Sequence, residues 1–95
     1  MSFYVYILSS QRNGTLYIGQ TDSLWQRITD HKAHQLLGFT AKYDVTKLVW
    51  FQDFETRQGT WTREKQIKKS NRALKLRLIE EANSGWYDLF DLEGM

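Results

Sequence analysis

The sequence predicts an α+β domain in which helices pack on a small, three-stranded antiparallel sheet, in the order ββαβαα. Two aromatic-rich apolar runs lie either side of a polar turn near the N-terminus, a third such run lies mid-chain, and segments with helical apolar spacing follow the second and third runs. The chain has 95 residues, 41% of them hydrophobic, and no cysteine. One core without disulfides must therefore stabilise it. We predict a single domain over 1–95, with a core at about 3–90 and an acidic tail after it.

The first two runs predict a β-hairpin. Residues 3–9 (FYVYILS) and 15–19 (TLYIG) are rich in aromatic and β-branched residues, which favour strands. The polar stretch between them contains Asn13-Gly14, a pair that accepts the positive φ angles of a tight turn. Because side chains alternate along a strand, Tyr6 and Tyr17 lie on the same face of the hairpin if the register allows it.

The rest of the chain predicts one further strand and three helices. Thr21-Asp22-Ser23 supplies three N-cap candidates, and Leu24 and Ile28 follow at helical spacing. The first helix is therefore expected over about 22–35. The remaining predicted elements are a strand over 48–54 (LVWFQDF) and helices over about 57–69 and 72–83, separated by Ser70-Asn71.

The net charge of +2 hides a strong asymmetry. From Arg57 to Arg77 the chain carries eight basic residues and one acid, Glu64, whereas the segment from Glu80 onward carries five acids and no base. A block of this kind is typical of a nucleic-acid partner and equally typical of a solvated helix face. The acidic tail is either a loose solubilising segment or a partial shield for the block. The candidate contacts to nucleic acid are Lys65, Lys68, Lys69, Asn71 and Arg72, although a helix N-cap alone would explain Asn71.

Glu64 is the acid within this basic block. It lies three residues from both Trp61 and Ile67, the expected apolar anchors of its helix, and so beside the buried stripe. An i,i+4 ion pair with Lys68, worth about 0.3–0.5 kcal/mol, explains its presence in structural terms. The other explanation is a divalent cation between this carboxylate and a phosphate. The four tryptophans are assigned to packing, Trp61 above all.

Several of these residues together resemble the GIY-YIG nuclease domain, in particular its short stand-alone bacterial members. The resemblance covers about residues 3–90. The two half-motifs appear as Tyr4-Val5-Tyr6 and Tyr17-Ile18-Gly19. The family's helix-one arginine, the histidine one turn later and the metal-binding glutamate correspond to Arg27, His31 and Glu64.

The resemblance implies a metal-dependent endonuclease that hydrolyses DNA phosphodiester bonds. Glu64 would bind Mg²⁺ or Mn²⁺, and Arg27 would bind the phosphate. Without the resemblance, a surface ion pair is the simpler explanation of Arg27. Tyr6 or Tyr17 would position the attacking water and accept its proton. Free tyrosine has a pKa of about 10, so either nearby cations must lower that pKa or His31 must relay the proton, and the sequence leaves both routes open. Branched or damaged DNA is the expected substrate, and the lack of cysteine and of long apolar runs favours the cytoplasm.

The chain departs from the family pattern at two positions. Tyr4 replaces the glycine of the first half-motif, and Gln20 replaces a lysine that several active members carry. A second hypothesis is therefore a nucleic-acid-binding module of the same fold whose catalysis has faded. A third, independent of the resemblance, is a helix-turn-helix regulator built around Ser70-Asn71, although that turn lacks the glycine often found there.

Overall fold

A computed structural model describes residues 2–33, 38 and 42–93. Its centre is the predicted three-stranded antiparallel sheet, in the strand order β2-β1-β3. The register places Tyr6 opposite Gly19 and Leu8 opposite Tyr17. Asn13 takes a φ of 56° in the hairpin turn, as its Asn-Gly sequence predicts. The strands are β1 (Phe3–Ser9), β2 (Leu16–Thr21) and β3 (Lys47–Phe54).

The three predicted helices are present, and a short fourth follows them. The first is shorter than expected, because the Thr21 hydroxyl accepts the Ser23 N–H and holds residues 22 and 23 in a turn. Its predicted end at 34 and 35 lies outside the described residues. No helix in the described part of the chain is long and apolar enough to cross a membrane. Within the described residues, the helices whose bounds are defined are α1 (Leu24–Lys32), α2 (Arg57–Lys69), α3 (Arg72–Ala82) and α4 (Leu89–Glu93).

Helices cover both faces of the sheet. On one face Ile67 of α2 and Ile79 of α3 pack against the sheet, in a cluster that includes Val5, Ile7 and Ile18. On the other face Leu24 and Ile28 of α1 pack with Tyr6 and Leu8 of the central strand, and Leu89 and Phe90 of α4 complete that cluster. Alternate residues of β1 therefore pack into two hydrophobic clusters, one on each face of the sheet.

Asp88, within the acidic segment that begins at Glu80, makes contacts that are part of the fold. Asp88 pairs with the Lys32 ammonium at the end of α1. Its Oδ1 atom also accepts the backbone N–H groups of Leu48, at 3.2 Å, and Phe90, at 3.1 Å. Residues 88–90 thus join α1, β3 and α4, and they lie within the predicted core, which ends at about residue 90.

The packing prediction for Trp61 is wrong. Its side chain is 51% exposed, and the buried residues of α2 are Thr60, Glu64 and Ile67. These three follow the i, i+4, i+7 spacing of a buried helical stripe, and Trp61 lies about 100° around the axis from Thr60. Trp61 and Ile67 are the expected apolar anchors of the helix, whereas the stripe that faces the sheet includes Ile67 but passes through Thr60 and Glu64 instead of Trp61.

Candidate active site

The Tyr6 side chain crosses from the central strand to the edge strand above Gly19. Tyr6 is 2% exposed. A Cβ atom at Gly19 would lie 2.5 Å from the phenol Oη and 2.6 Å from Cζ, far inside van der Waals contact. The glycine of the second half-motif is therefore what allows the Tyr6 hydroxyl to lie over β2.

Tyr17 and His31 complete an aromatic cluster with Tyr6. The ring centroids are 6.3 Å apart for the two tyrosines, 6.1 Å for Tyr6 and His31, and 5.6 Å for Tyr17 and His31. The Tyr6 hydroxyl and His31 Nε2 form a hydrogen bond of 3.3 Å. The prediction that both tyrosines lie on one sheet face is confirmed. His31 joins them because it lies on the buried stripe of α1 with Leu24 and Ile28.

Burial and nearby charges set the protonation of this cluster. Burial raises the pKa of Tyr6 strongly, and Tyr17 and the Glu64 carboxylate add to the rise, whereas the Arg27 guanidinium opposes it. Burial, and then Arg27, lower the pKa of His31, against a smaller opposite effect of Asp30. Near neutral pH the phenol is therefore protonated and the imidazole neutral. With its proton on Nδ1, the imidazole accepts the phenol O–H at Nε2.

Arg27 is exposed on α1 and close enough to act electrostatically on both Tyr6 and His31. Among the described residues its side chain has no hydrogen bond or ion pair. The acids nearby in sequence have other partners: Asp22 lies 3.4 Å from Arg57, and Asp30 accepts an amide N–H of Gln26 at 2.9 Å. The surface ion pair considered for Arg27 does not form, so its guanidinium can bind an anion.

Glu64 lies at the same sheet edge, on the opposite face from the tyrosines. It is 9% exposed. The Gln20 amide donates to Oε1 at 2.9 Å, and the Lys68 ammonium lies 3.2 Å from Oε2, which confirms the i,i+4 pair. Because consecutive strand residues alternate in direction, Gly19 opens one face of β2 to Tyr6 while Gln20 contacts Glu64 on the other. The candidate site therefore wraps around the edge strand.

The donor set fits a hard divalent cation better than zinc. Within the described ranges no cluster of three or more histidine, cysteine, aspartate or glutamate side chains is placed to hold a metal. Structural and catalytic zinc sites need three or four such ligands. Mg²⁺ is commonly held by one or two carboxylates with waters and phosphate oxygens, so the single carboxylate of Glu64 fits it.

The three lysines proposed to contact nucleic acid all lie exposed on α2. The Lys65 ammonium lies 3.7 Å from the centroid of the Trp61 ring. Lys68 is paired with Glu64, yet its side chain is 53% exposed. Lys69 is exposed at the end of the helix. These positions place positive charge beside the Glu64 carboxylate.

Arg72 and Asn71 have structural contacts. The Arg72 guanidinium donates to the backbone carbonyls of Asn13, at 2.8 Å, and Gly14, at 2.7 Å, and so holds the hairpin turn. Asn71 is the N-cap of α3, with its Oδ1 accepting the Leu74 N–H at 2.8 Å. The capping explanation of Asn71 is confirmed, and nothing in the sequence pattern indicated the partner of Arg72.

An open depression beside Glu64 was not predicted. Its volume is about 620 Å³, and it is lined by Gln20, Arg57, Gln58 and Trp61. The signal that could have indicated it is Trp61 followed by Lys65 at i+4, a spacing that places a cation over an exposed ring.

The fold and the sheet-edge site define a GIY-YIG-type domain. The family model described as the GIY-YIG catalytic domain matches residues 2–77. The chain belongs to the GIY-YIG family.

Proteins similar to this chain include members of the UPF0213 group. A UPF0213 protein of Clostridium perfringens is 40% identical over 76 residues, which are 80% of this chain and 81% of that protein. One of Haloquadratum walsbyi is 35% identical over 78 residues, covering 82% of this chain and 86% of the relative. The solution NMR structure of a UPF0213 protein from Bacillus halodurans is similar with a TM-score of 0.59 and 25% identity, over 98% of both chains. The predicted stand-alone type and fold are thereby confirmed.

Proposed function

We propose that this protein is a metal-dependent endonuclease that hydrolyses phosphodiester bonds in DNA, with branched or damaged DNA as its substrate in the cytoplasm. The observation that carries the proposal is the convergence at one sheet edge of the Tyr6–Tyr17–His31 cluster, the exposed Arg27 guanidinium and the buried Glu64 carboxylate. Membership of a nuclease-type family supports the same reaction class.

The raised pKa of Tyr6 favours the relay route over a free tyrosinate. In this mechanism the attacking water gives its proton to the Tyr6 oxygen as the phenol proton passes to His31 Nε2, across their 3.3 Å hydrogen bond. Tyr17 packs against both rings and fixes their orientation. Arg27 stabilises the negative charge on the phosphate oxygens through charge-assisted hydrogen bonds.

Glu64 is the residue that would hold Mg²⁺ or Mn²⁺. Such an ion supplies charge neutralisation at the phosphate and at the departing oxygen. Glu64 must first release one of its present partners. Lys68 is the partner that can leave, because its side chain is half exposed and exposed ion pairs are weak.

A second candidate function is a nucleic-acid-binding module without cleavage. The observation that favours it is that both Glu64 oxygens are occupied, by Gln20 and Lys68. The helix-turn-helix hypothesis has less support, since Ile67 and Ile79 bury α2 and α3 against the sheet of a family-matched domain.

The deciding experiment compares Glu64→Gln with wild type on nicked, branched and single-stranded DNA, in Mg²⁺, Mn²⁺ or EDTA. The substitution keeps the shape and removes the charge, so stability should change by only a few tenths of a kcal/mol, the value of one helix ion pair. Cleavage should fall by about a hundredfold or more, as when a transition-state electrostatic contact is lost. Glu81→Gln, an exposed acid on α3, is the matched control and should cleave as wild type does.

The outcomes separate the two candidates. Unchanged cleavage by Glu64→Gln would remove the metal-site assignment. A wild type that binds DNA with a steep salt dependence, as counterion release requires, but cleaves none of the substrates would establish the binding module instead.

A further inference from the structure

Trp61 exposes its indole one helical turn from the candidate catalytic carboxylate. It lines the depression of about 620 Å³ together with Gln20, Arg57 and Gln58. Gln20 is also the residue that donates to Glu64 Oε1. Gln20 therefore forms part of both the depression and the candidate active site.

A structural role explains only part of this arrangement. The Lys65 ammonium over the indole accounts for a cation–π contact worth about 0.5–1 kcal/mol at an exposed site. That contact needs neither a depression nor the amides that line it. The surroundings of Trp61 offer a flat apolar ring, two amides that donate and accept hydrogen bonds, and the cations Arg57 and Lys65.

This combination matches one ligand chemistry, a nucleotide. An aromatic face binds any nucleobase by stacking, amides bind the base edges, and cations bind the phosphates. The basic block to which α2 belongs supplies the electrostatic attraction. Bases within a duplex are covered above and below by their neighbours, so an unpaired base is the one that can lie flat on Trp61.

We infer that Trp61 is a stacking platform for an unpaired nucleobase next to the phosphate bound at Glu64. The inference rests on the proposed function and deepens it, because it assigns single-stranded or locally unpaired nucleic acid as the substrate class. Gln20 and Gln58 contact the edge of the base, and Arg57 and Lys65 contact its phosphates.

The test compares two single-stranded ligands of equal length and charge, a thymidine oligonucleotide and an abasic oligonucleotide that keeps only sugars and phosphates. Binding is measured by fluorescence anisotropy in EDTA, so that cleavage does not interfere. Wild type should bind the thymidine strand about tenfold more tightly, the order of one base–aromatic stack. Trp61→Ala should lose this preference while binding the abasic strand as wild type does, and Trp61→Phe should retain part of it.

Two controls make the result specific. Tyr87→Ala removes another exposed aromatic residue, 64% exposed and outside the depression, and should keep the full preference. Lys65→Gln should weaken binding to both strands by a similar factor, because it removes charge rather than a stacking surface. Circular dichroism of each variant confirms that it is folded.

Equal affinity of wild type for the two strands, or a preference that survives Trp61→Ala, would overturn the inference. Cleavage that depends on Glu64 together with equal affinities would overturn it while leaving the proposed function intact. Binding of neither strand, with no cleavage of any DNA, would remove both.

Discussion

The Gly19→Ala substitution tests the geometry of the site by adding a single methyl group. The added Cβ would lie 2.5 Å from Tyr6 Oη, about 1 Å short of ordinary van der Waals contact. Tyr6 is buried at the centre of its core cluster, so its ring cannot turn out into solvent. The phenol must instead shift within the core, away from its position over β2.

The shift of the phenol determines how much stability and how much cleavage activity the variant should lose. Forcing a methyl group into a packed core costs about 1–3 kcal/mol of unfolding free energy. A displacement of about 1 Å at a reacting group reduces rates by roughly a hundredfold. The hydrogen bond between Tyr6 and His31 is already 3.3 Å long, so a shift of this size away from His31 would break it. We therefore expect a folded protein with a modest loss of stability and a large loss of cleavage.

Cleavage rates and urea unfolding of the same preparations provide the measurement, with Gly59→Ala as the control. Gly59 lies in α2, where a Cβ would meet Thr56 Oγ1 at 3.1 Å and Phe54 Cδ1 at 3.6 Å but neither tyrosine. The control should cleave as wild type does. If Gly19→Ala retains wild-type cleavage and stability, the position of the phenol over Gly19 does not matter for the reaction, and the relay fails with it.

Two further predictions concern stability. The pKa of His31 is lowered in the fold by burial and by Arg27, so the unfolded chain binds a proton more readily. The stabilisation that comes from neutral His31 should be complete above the ordinary histidine pKa of about 6.5, and the free energy of unfolding should fall as pH drops below that value. Urea titrations of His31→Gln should show a weaker fall of the unfolding free energy in this pH range. An unchanged pH dependence would contradict the lowered pKa of His31. Asp88→Ala should cost about 2–3 kcal/mol in urea unfolding, because it leaves the buried Leu48 N–H without its acceptor and removes the Lys32 ion pair, and a wild-type midpoint would refute that role.

Local signals account for most of the predicted fold. The aromatic runs and Asn13-Gly14 predict the hairpin because strand preference and turn geometry are properties of a few adjacent residues. The bounds of α2 agree with the prediction at both ends, since Thr56 caps its start and Ser70 ends it. By contrast, the contacts of Asp88 with Lys32 and Leu48 join residues far apart in the sequence, so the sequence around Asp88 indicates only its local hydrogen bond to Phe90 at the start of α4.

The sequence likewise predicts only part of the candidate site. Strand alternation alone indicates that Tyr6 and Tyr17 share a face. The preference for the proposed relay route rests on burial, because burial raises the pKa of Tyr6 and lowers the pKa of His31. The exposure of Trp61 depends on which face of α2 the sheet covers, and the only sequence signal for it is Lys65 one helical turn later.

Gln20 is one of the two departures from the family pattern on which the binding-module hypothesis rests, and its side chain contacts Glu64. A lysine at this position would bring a second ammonium group to a carboxylate that Lys68 already pairs with, and each such charge competes with a metal ion for the same oxygens. The glutamine amide holds Oε1 at 2.9 Å without neutralising the carboxylate. Glu64 thus has a fixed orientation, and the half-exposed Lys68 is the partner that would have to leave for the proposed metal to bind. In this chain the neutral residue is therefore compatible with the metal binding proposed for Glu64.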